Sequence, residues 1–168
     1  MKIRKIRETE LQKISGIDKE FYEGYQTPLE VLVNWFNNFP EGFLVAEEAD
    51  DIFAYIFVEL FDGIKAVPFI HDARLAHYRN GKFIYVSGFG VKDGFEKAGN
   101  FLLEEIITLG KVKNCKAIVW VTGEKMKHDI FEKRLIQEFG FAKKERIEKW
   151  ESHPNRFVSD HAIWIKEL

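Results

Sequence analysis

A chain of 168 residues, 46% hydrophobic and 15% aromatic with sixteen Phe, can bury one core of its own, whereas disorder needs the opposite composition. A formal charge of −2 with scattered Lys and Arg offers no basic face for nucleic acid, and the longest apolar run, Ile52 to Val58, is too short to cross a bilayer. Cys115 is the lone cysteine, so an intrachain disulfide is excluded; MKIRKIRETE has no apolar leader, and the expected setting is a reducing cytoplasm.

The pattern predicts a single domain over 1–168. Lys2 to Arg7 alternates charge with Ile3 and Ile6, the period of a half-buried strand. Thr9-x-x-Gln12 reads as a capping box for a helix that breaks near Gly16 and continues toward Phe21 and Tyr22. Thr27-Pro28-Leu29-Glu30 predicts a second start, with Thr27 as cap and Pro28 as first helical residue, ahead of an apolar face of Val31, Leu32, Trp35 and Phe36. Gly42 to Glu47 and Ile52 to Leu60 form a predicted hairpin turning at Ala49-Asp50-Asp51. Phe61 to Asn80 is irregular and carries His71, Asp72 and His77; connections of that length tend to bind something or hold local structure.

Lys82 to Gly110 is the stretch around which the rest is organised. Phe83, Ile84, Tyr85, Val86 and Phe89 read as a buried strand, and Gly88 and Gly90 within it mark a bulge or a close backbone approach. The period-two rule puts Tyr85 and Ser87 on one face with Phe83 and Phe89. A glycine-rich loop then opens into a helix carrying Leu102, Leu103, Ile106, Ile107 and Leu109, with Gly110 as the expected stop. Amides at such a helix start suit an anion, because orphan donors and macrodipole act together. Ala117 to Thr122 is a short apolar strand, and Asp129 is the expected cap of a late helix that Gly140 ends. Ala142 to Glu151 and His161 to Lys166 close the chain around a turn at His153-Pro154-Asn155. This order implies an α/β architecture, a mixed, mostly antiparallel sheet with helices on both faces.

Two stretches, GFGVKDGFEKAGNFLLEEII and LIQEFGFAKKERIEKW, make the chain resemble the GNAT family of acyl-CoA-dependent N-acyltransferases. The resemblance covers essentially the whole chain. It implies that acetyl-CoA is the acyl donor and that a primary amine receives the acetyl group by direct transfer. It also implies that Phe89, Gly90 and Val91 hold the pantetheine arm through their main chain. Glu96, Lys97, Ala98, Gly99 and Asn100 would then hold the pyrophosphate. Asp129 stands where many members carry an Asn touching the cofactor. The chain departs from the family pattern twice. Glu96 or Gly94, depending on register, replaces the usual Arg or Gln of the loop, and Ile136 replaces the tyrosine that serves many members as acid. The resemblance therefore also accommodates a GNAT-fold domain that binds acyl-CoA or a partner without turnover.

Acyl transfer needs a base for the amine and a proton for the thiolate. Glu59, late on the strand before the central one, is the first candidate base if burial raises its pKa, and otherwise an outward ion-pairing residue. His71 and His77 lie where a substrate pocket would form and titrate near neutrality. Tyr85 is the candidate substitute acid, or a core tyrosine with a bonded hydroxyl. The four tryptophans read as packing, and no metal-ligand spacing is present. Amine identity and oligomeric state stay open, a homodimer included.

Overall fold

The computed structural model describes residues 1–21, 27–65, 78, 80–123, 127–153 and 156–168, with the side chains of 20, 21, 127–131, 152, 153 and 156 outside the description. In chain order the elements are β1 (Lys2–Lys5), α1 (Leu11–Phe21), α2 (Leu29–Asn38), β2 (Phe43–Glu48), β3 (Asp51–Phe61), β4 (Phe83–Val91), α3 (Glu96–Val112), β5 (Ala117–Gly123), α4 (Lys127–Glu138), β6 (Ala142–Ile147), β7 (Trp150–His153), β8 (Arg156–Val158) and β9 (His161–Glu167). Seven strands form one sheet in the order β1-β2-β3-β4-β5-β9-β6, and β7 with β8 forms a separate two-stranded ribbon. Among the described residues the pairings are antiparallel except β4 with β5.

Strand alternation divides the core into two layers. Ile56, Val58, Ile84, Val86 and Ile118 face α3 and α4, where Leu102, Ile106, Leu135 and Ile136 meet them. Tyr55, Phe57, Tyr85, Val119 and Ile163 face α1 and α2, packing on Leu11, Ile14, Leu32 and Trp35. The mixed sheet with a helical layer on each face is the architecture the sequence implies. Trp35, Trp120 and Trp164 are core residues, as their apolar neighbours suggest, and Cys115 is buried.

Several local expectations shift. Gly16 leaves α1 unbroken. The cap ahead of it lies nearer the N-terminus than Thr9: the Arg7 N–H donates to Glu10 Oε2 at 2.8 Å, and Arg4 and Arg7 pair with the same carboxylate. Pro28 takes the cap position of α2, its carbonyl accepting the Val31 and Leu32 N–H groups, and Thr27 instead donates its N–H to Asp18. Gly110 lies inside α3 rather than after it. A Cβ there would come within 2.4 Å of Leu168 and 2.9 Å of Ile84, so its role is close packing, and Asn114 (φ 54°) takes the left-handed position beyond the helix. Gly140 does end α4, at φ 71°. The final pair of predicted strands divides further, because β6 and β9 pair in the main sheet while the chain between them folds into the β7–β8 ribbon. Residues 154 and 155 of the predicted turn lie outside the described residues.

Candidate active site

The ladder between β4 and β5 runs from Phe83↔Ala117 to Val86↔Trp120 and stops. Both strands continue, β4 to Val91 and β5 to Gly123, held by their outer neighbours β3 and β9. Past Val86 the centre of the sheet is therefore a fork. Its cause sits in β4, where Phe57 pairs with Gly88 but Val58 pairs with Val86, leaving Ser87 as the extra residue of a bulge. Ser87 Oγ donates to the Phe57 carbonyl at 3.2 Å.

The extra residue reverses the alternation. Tyr85 belongs to the α1/α2 layer, whereas Phe89 and Val91 belong to the α3/α4 layer with Ile84 and Val86. The expected shared face of Tyr85 and Phe89 is thus corrected, because one inserted residue turns every later side chain over. Phe89 meets Trp120 edge to face at 5.1 Å between ring centres, so aromatic rings rather than backbone bonds span the gap on that side.

β4 leads through Lys92-Asp93-Gly94-Phe95 into α3. The Phe95 N–H donates to the Lys92 carbonyl at 3.1 Å, closing a turn whose third residue, Gly94, has φ 86°, a conformation that favours glycine. Glu96 is exposed, and its Oε1 accepts the Gly94 N–H at 3.2 Å. Lys97 is exposed, Ala98 and Gly99 are buried, and Asn100 is half-buried. The first helical amides, those of Glu96 and Lys97 among them, precede any intrahelical acceptor, and the helix dipole adds positive potential at this end. Main-chain donors thus gather at the α3 start, next to the open end of the fork, in a form suited to an anionic group.

Glu59 lies on β3 directly opposite Tyr85. Its residue is 0% exposed, and both carboxylate oxygens lack a hydrogen-bond partner among the described residues. Burial pushes its carboxyl up to about 8. The alternative of an outward ion-pairing Glu59 does not hold. By alternation its side chain shares the α1/α2 face with Phe57 and Phe61. Tyr85 stands one pair below the last rung of the fork, so Glu59 is one strand and about one residue step away, on the order of 10 Å.

His71 and His77 lie outside the described residues. Asp129 falls within the span of α4 rather than ahead of it, and its side chain lies outside the described residues. Ile136 is 0% exposed in the α3/α4 core, so a buried aliphatic side chain stands where the family resemblance would put an acid. Among the described residues no group of His, Cys, Asp and Glu is arranged to hold a metal, and no helix is long and apolar enough to cross a membrane. A wide concavity lined by Lys116, Ala117, Lys143 and Lys166 lies at the opposite end of β4 and β5, away from the fork.

Sequence reasoning missed two residues here. Ser87 builds the bulge, although the neighbouring glycines signalled its presence. Asp18, 1% exposed, accepts the Thr27 N–H at 2.5 Å and the Tyr55 hydroxyl, tying the end of α1 to the start of α2 and to β3. Its burial raises its carboxyl, opposed by those two bonds. A charged residue inside the apolar rhythm of Ile14 and Ile17 was the available signal.

A seven-stranded sheet parted at its one parallel pair, with a bulge on the inner strand and a helix start beside the opening, is the geometry that decides the comparison. The chain has the GNAT fold. It superposes on a GNAT-like decarboxylase, GphF, solved with isobutyryl-CoA, at TM-score 0.79 and 13% identity over 99% of each chain. Ard1 from Thermoplasma volcanium matches at TM-score 0.74 and 13% identity, over 99% of this chain and 97% of that one. The putative acetyltransferase yncA from Salmonella typhimurium, solved with acetyl-CoA, matches at TM-score 0.69 and 14% identity, over 99% and 93%. No protein-family model matches the sequence, and no curated protein matches it. That contrast has a physical basis in the GNAT architecture: a fork and a row of amides are made by backbone geometry, which many side-chain sets can support.

Proposed function

We propose that the protein is an acyl-CoA-dependent N-acyltransferase that passes an acetyl group from acetyl-CoA directly to a primary amine. The observation carrying this reading is the end of the β4–β5 ladder at Val86↔Trp120, beside the amides that open α3. Backbone from Phe89 to Val91 would align the pantetheine arm along the fork. Within Glu96 to Asn100 the amides of Glu96 and Lys97, which precede any intrahelical acceptor, would lead in receiving the diphosphate, the Ala98 N–H being bonded to the Phe95 carbonyl. Ala98 and Gly99 are buried at that start, Ala98 in the α3/α4 layer, while the exposed Glu96 has room to turn to solvent.

Acyl-CoA supplies the activated carbonyl and the thiol leaving group; the chain's own residues supply position and protons. The α3 end of the fork belongs to one face of the sheet and Glu59 to the other, so donor and acceptor approach from opposite layers. The Glu59 carboxylate takes one proton from the ammonium, leaving a neutral amine and a neutral carboxylic acid. In a dry layer that pair is favoured over two separated charges. The second proton leaving nitrogen balances the departing thiolate, and we assign its relay to the Tyr85 hydroxyl, whose residue pairs with Glu59 across the ladder. Tyr85 thereby takes the role that Ile136 cannot perform.

The test is thiol release from acetyl-CoA across an amine panel, run beside coenzyme binding. Binding with amine-dependent release supports the transferase. Binding without release on any amine would support the non-catalytic binder, and absence of binding would remove both readings.

A further inference from the structure

We propose that the acceptor is an apolar-chained primary ammonium with no carboxylate on the carbon next to nitrogen, received by Glu59 within the aromatic wall of the α1/α2 layer. The proposal rests on the acyltransferase reading and names its substrate class.

Glu59 is fully buried with neither oxygen partnered among the described residues. Leaving a carboxyl so placed is expensive, and native interiors keep such groups where something else completes them. No Lys, Arg or His is among the described buried residues, so none of these offers Glu59 an internal counter-ion. Asp18, another buried acid on this face, has its oxygens occupied by the Thr27 N–H and the Tyr55 hydroxyl and supplies no cation.

The walls favour the same ligand. Phe57 and Phe61 flank Glu59 on its own strand, and Tyr85 faces it across the ladder. Phe61 meets Tyr85 at 5.6 Å, and Phe57 stacks on Tyr55 at 4.7 Å and on Phe43 at 4.3 Å. Ring faces attract a cation through their quadrupole and bury an alkyl chain without polar cost. An α-amino acid brings a carboxylate of its own into this dry layer with no described buried cation to receive it, and the desolvation of that unpaired charge rejects it. Because Glu59 is covered, binding entails a local opening of this layer.

A series differing at the carbon next to nitrogen tests the assignment: phenethylamine, phenylalaninamide and phenylalanine, titrated calorimetrically into coenzyme-free protein and then assayed as acceptors. Phenethylamine should bind and be acylated, with phenylalanine at least about a hundredfold poorer, the scale of one uncompensated buried charge. Phenylalaninamide separates the sources of this chemistry, since acceptance equal to phenethylamine points to a peptide N-terminus and weaker acceptance to a free alkylamine. In Glu59→Gln the preference should collapse toward parity. Should that variant misfold, loss of phenethylamine binding in wild type as pH falls below that of the Glu59 titration gives the same reading. Equal use of phenylalanine overturns the proposal, as does absence of amine binding, in which case Glu59 holds only a proton. If acetyl-CoA binds while no amine does, this proposal fails and the coenzyme reading survives; if phenethylamine binds while acetyl-CoA does not, the reverse holds.

Discussion

Glu59 and Tyr85 face each other across β3 and β4, both at most 1% exposed, in the layer under α1 and α2. The pairing puts an acid with no described partner beside a phenol, one step below the point where the sheet opens. Burial holds the Glu59 proton until about pH 8, whereas the unfolded chain gives it up near 4.5. The folded state therefore binds the extra proton between those values, and stability falls as pH rises through that window. At 1.36 kcal/mol per pH unit the window is worth up to about 5 kcal/mol. Glu59→Gln should flatten this slope in urea titrations at pH 5, 7 and 9. A wild-type slope retained in the variant would place the titration elsewhere.

Tyr85→Phe keeps the ring that packs on Phe61 and removes only the hydroxyl. Turnover should fall tenfold to hundredfold, in the lower range of general acid–base effects, with coenzyme affinity unchanged. A variant as fast as wild type would take Tyr85 out of the proton path.

Gly94 holds φ 86° in the turn that aims β4 into α3. Gly94→Ala forces a left-handed alanine at a cost of about 1 kcal/mol and should loosen the turn that presents the helix amides. Weaker binding of acetyl-CoA in calorimetry, with only this modest loss of stability, is the expected result. Unchanged affinity would show that the loop does not position the amides.

Asp18→Asn replaces one acceptor oxygen with an amide NH2, so the Thr27 N–H and the Tyr55 hydroxyl are both served only if that hydroxyl turns from donor to acceptor. The mismatch should cost about 1–3 kcal/mol in urea denaturation, and Tyr55→Phe about 1 kcal/mol. Two equally stable variants would mean that Asp18 does not hold α1, α2 and β3 together.

The elements themselves were legible because hydrophobic rhythm reports the core directly. Apolar runs on either side of the turn at Ala49-Asp50-Asp51 marked β2 and β3, and the wholly apolar AIVWVT marked a strand covered on both faces. Gly88 beside Ser87 signalled a bulge, but not that the bulge would turn Phe89 to the opposite layer from Tyr85. That depends on which residue the ladder skips, which only pairing with β3 decides. Gly110 misled for a related reason, since a glycine near a helix end reads the same whether it serves a turn or admits Leu168. The inward direction of Glu59 lay beyond the pattern as well, because acids on strands are ordinarily solvated. The buried link from Asp18 to Tyr55 joins residues 37 apart, and no local spacing encodes it.

Backbone amide shifts on titration with acetyl-CoA test the central claim most directly, because they report main-chain contacts residue by residue. The account predicts that the amides of Phe89 to Val91 and of Glu96 to Asn100 move together and saturably, while Lys116 and Ala117 at the closed end of β4 and β5 stay still. Shifts confined to that closed end, or none in either stretch, would contradict it.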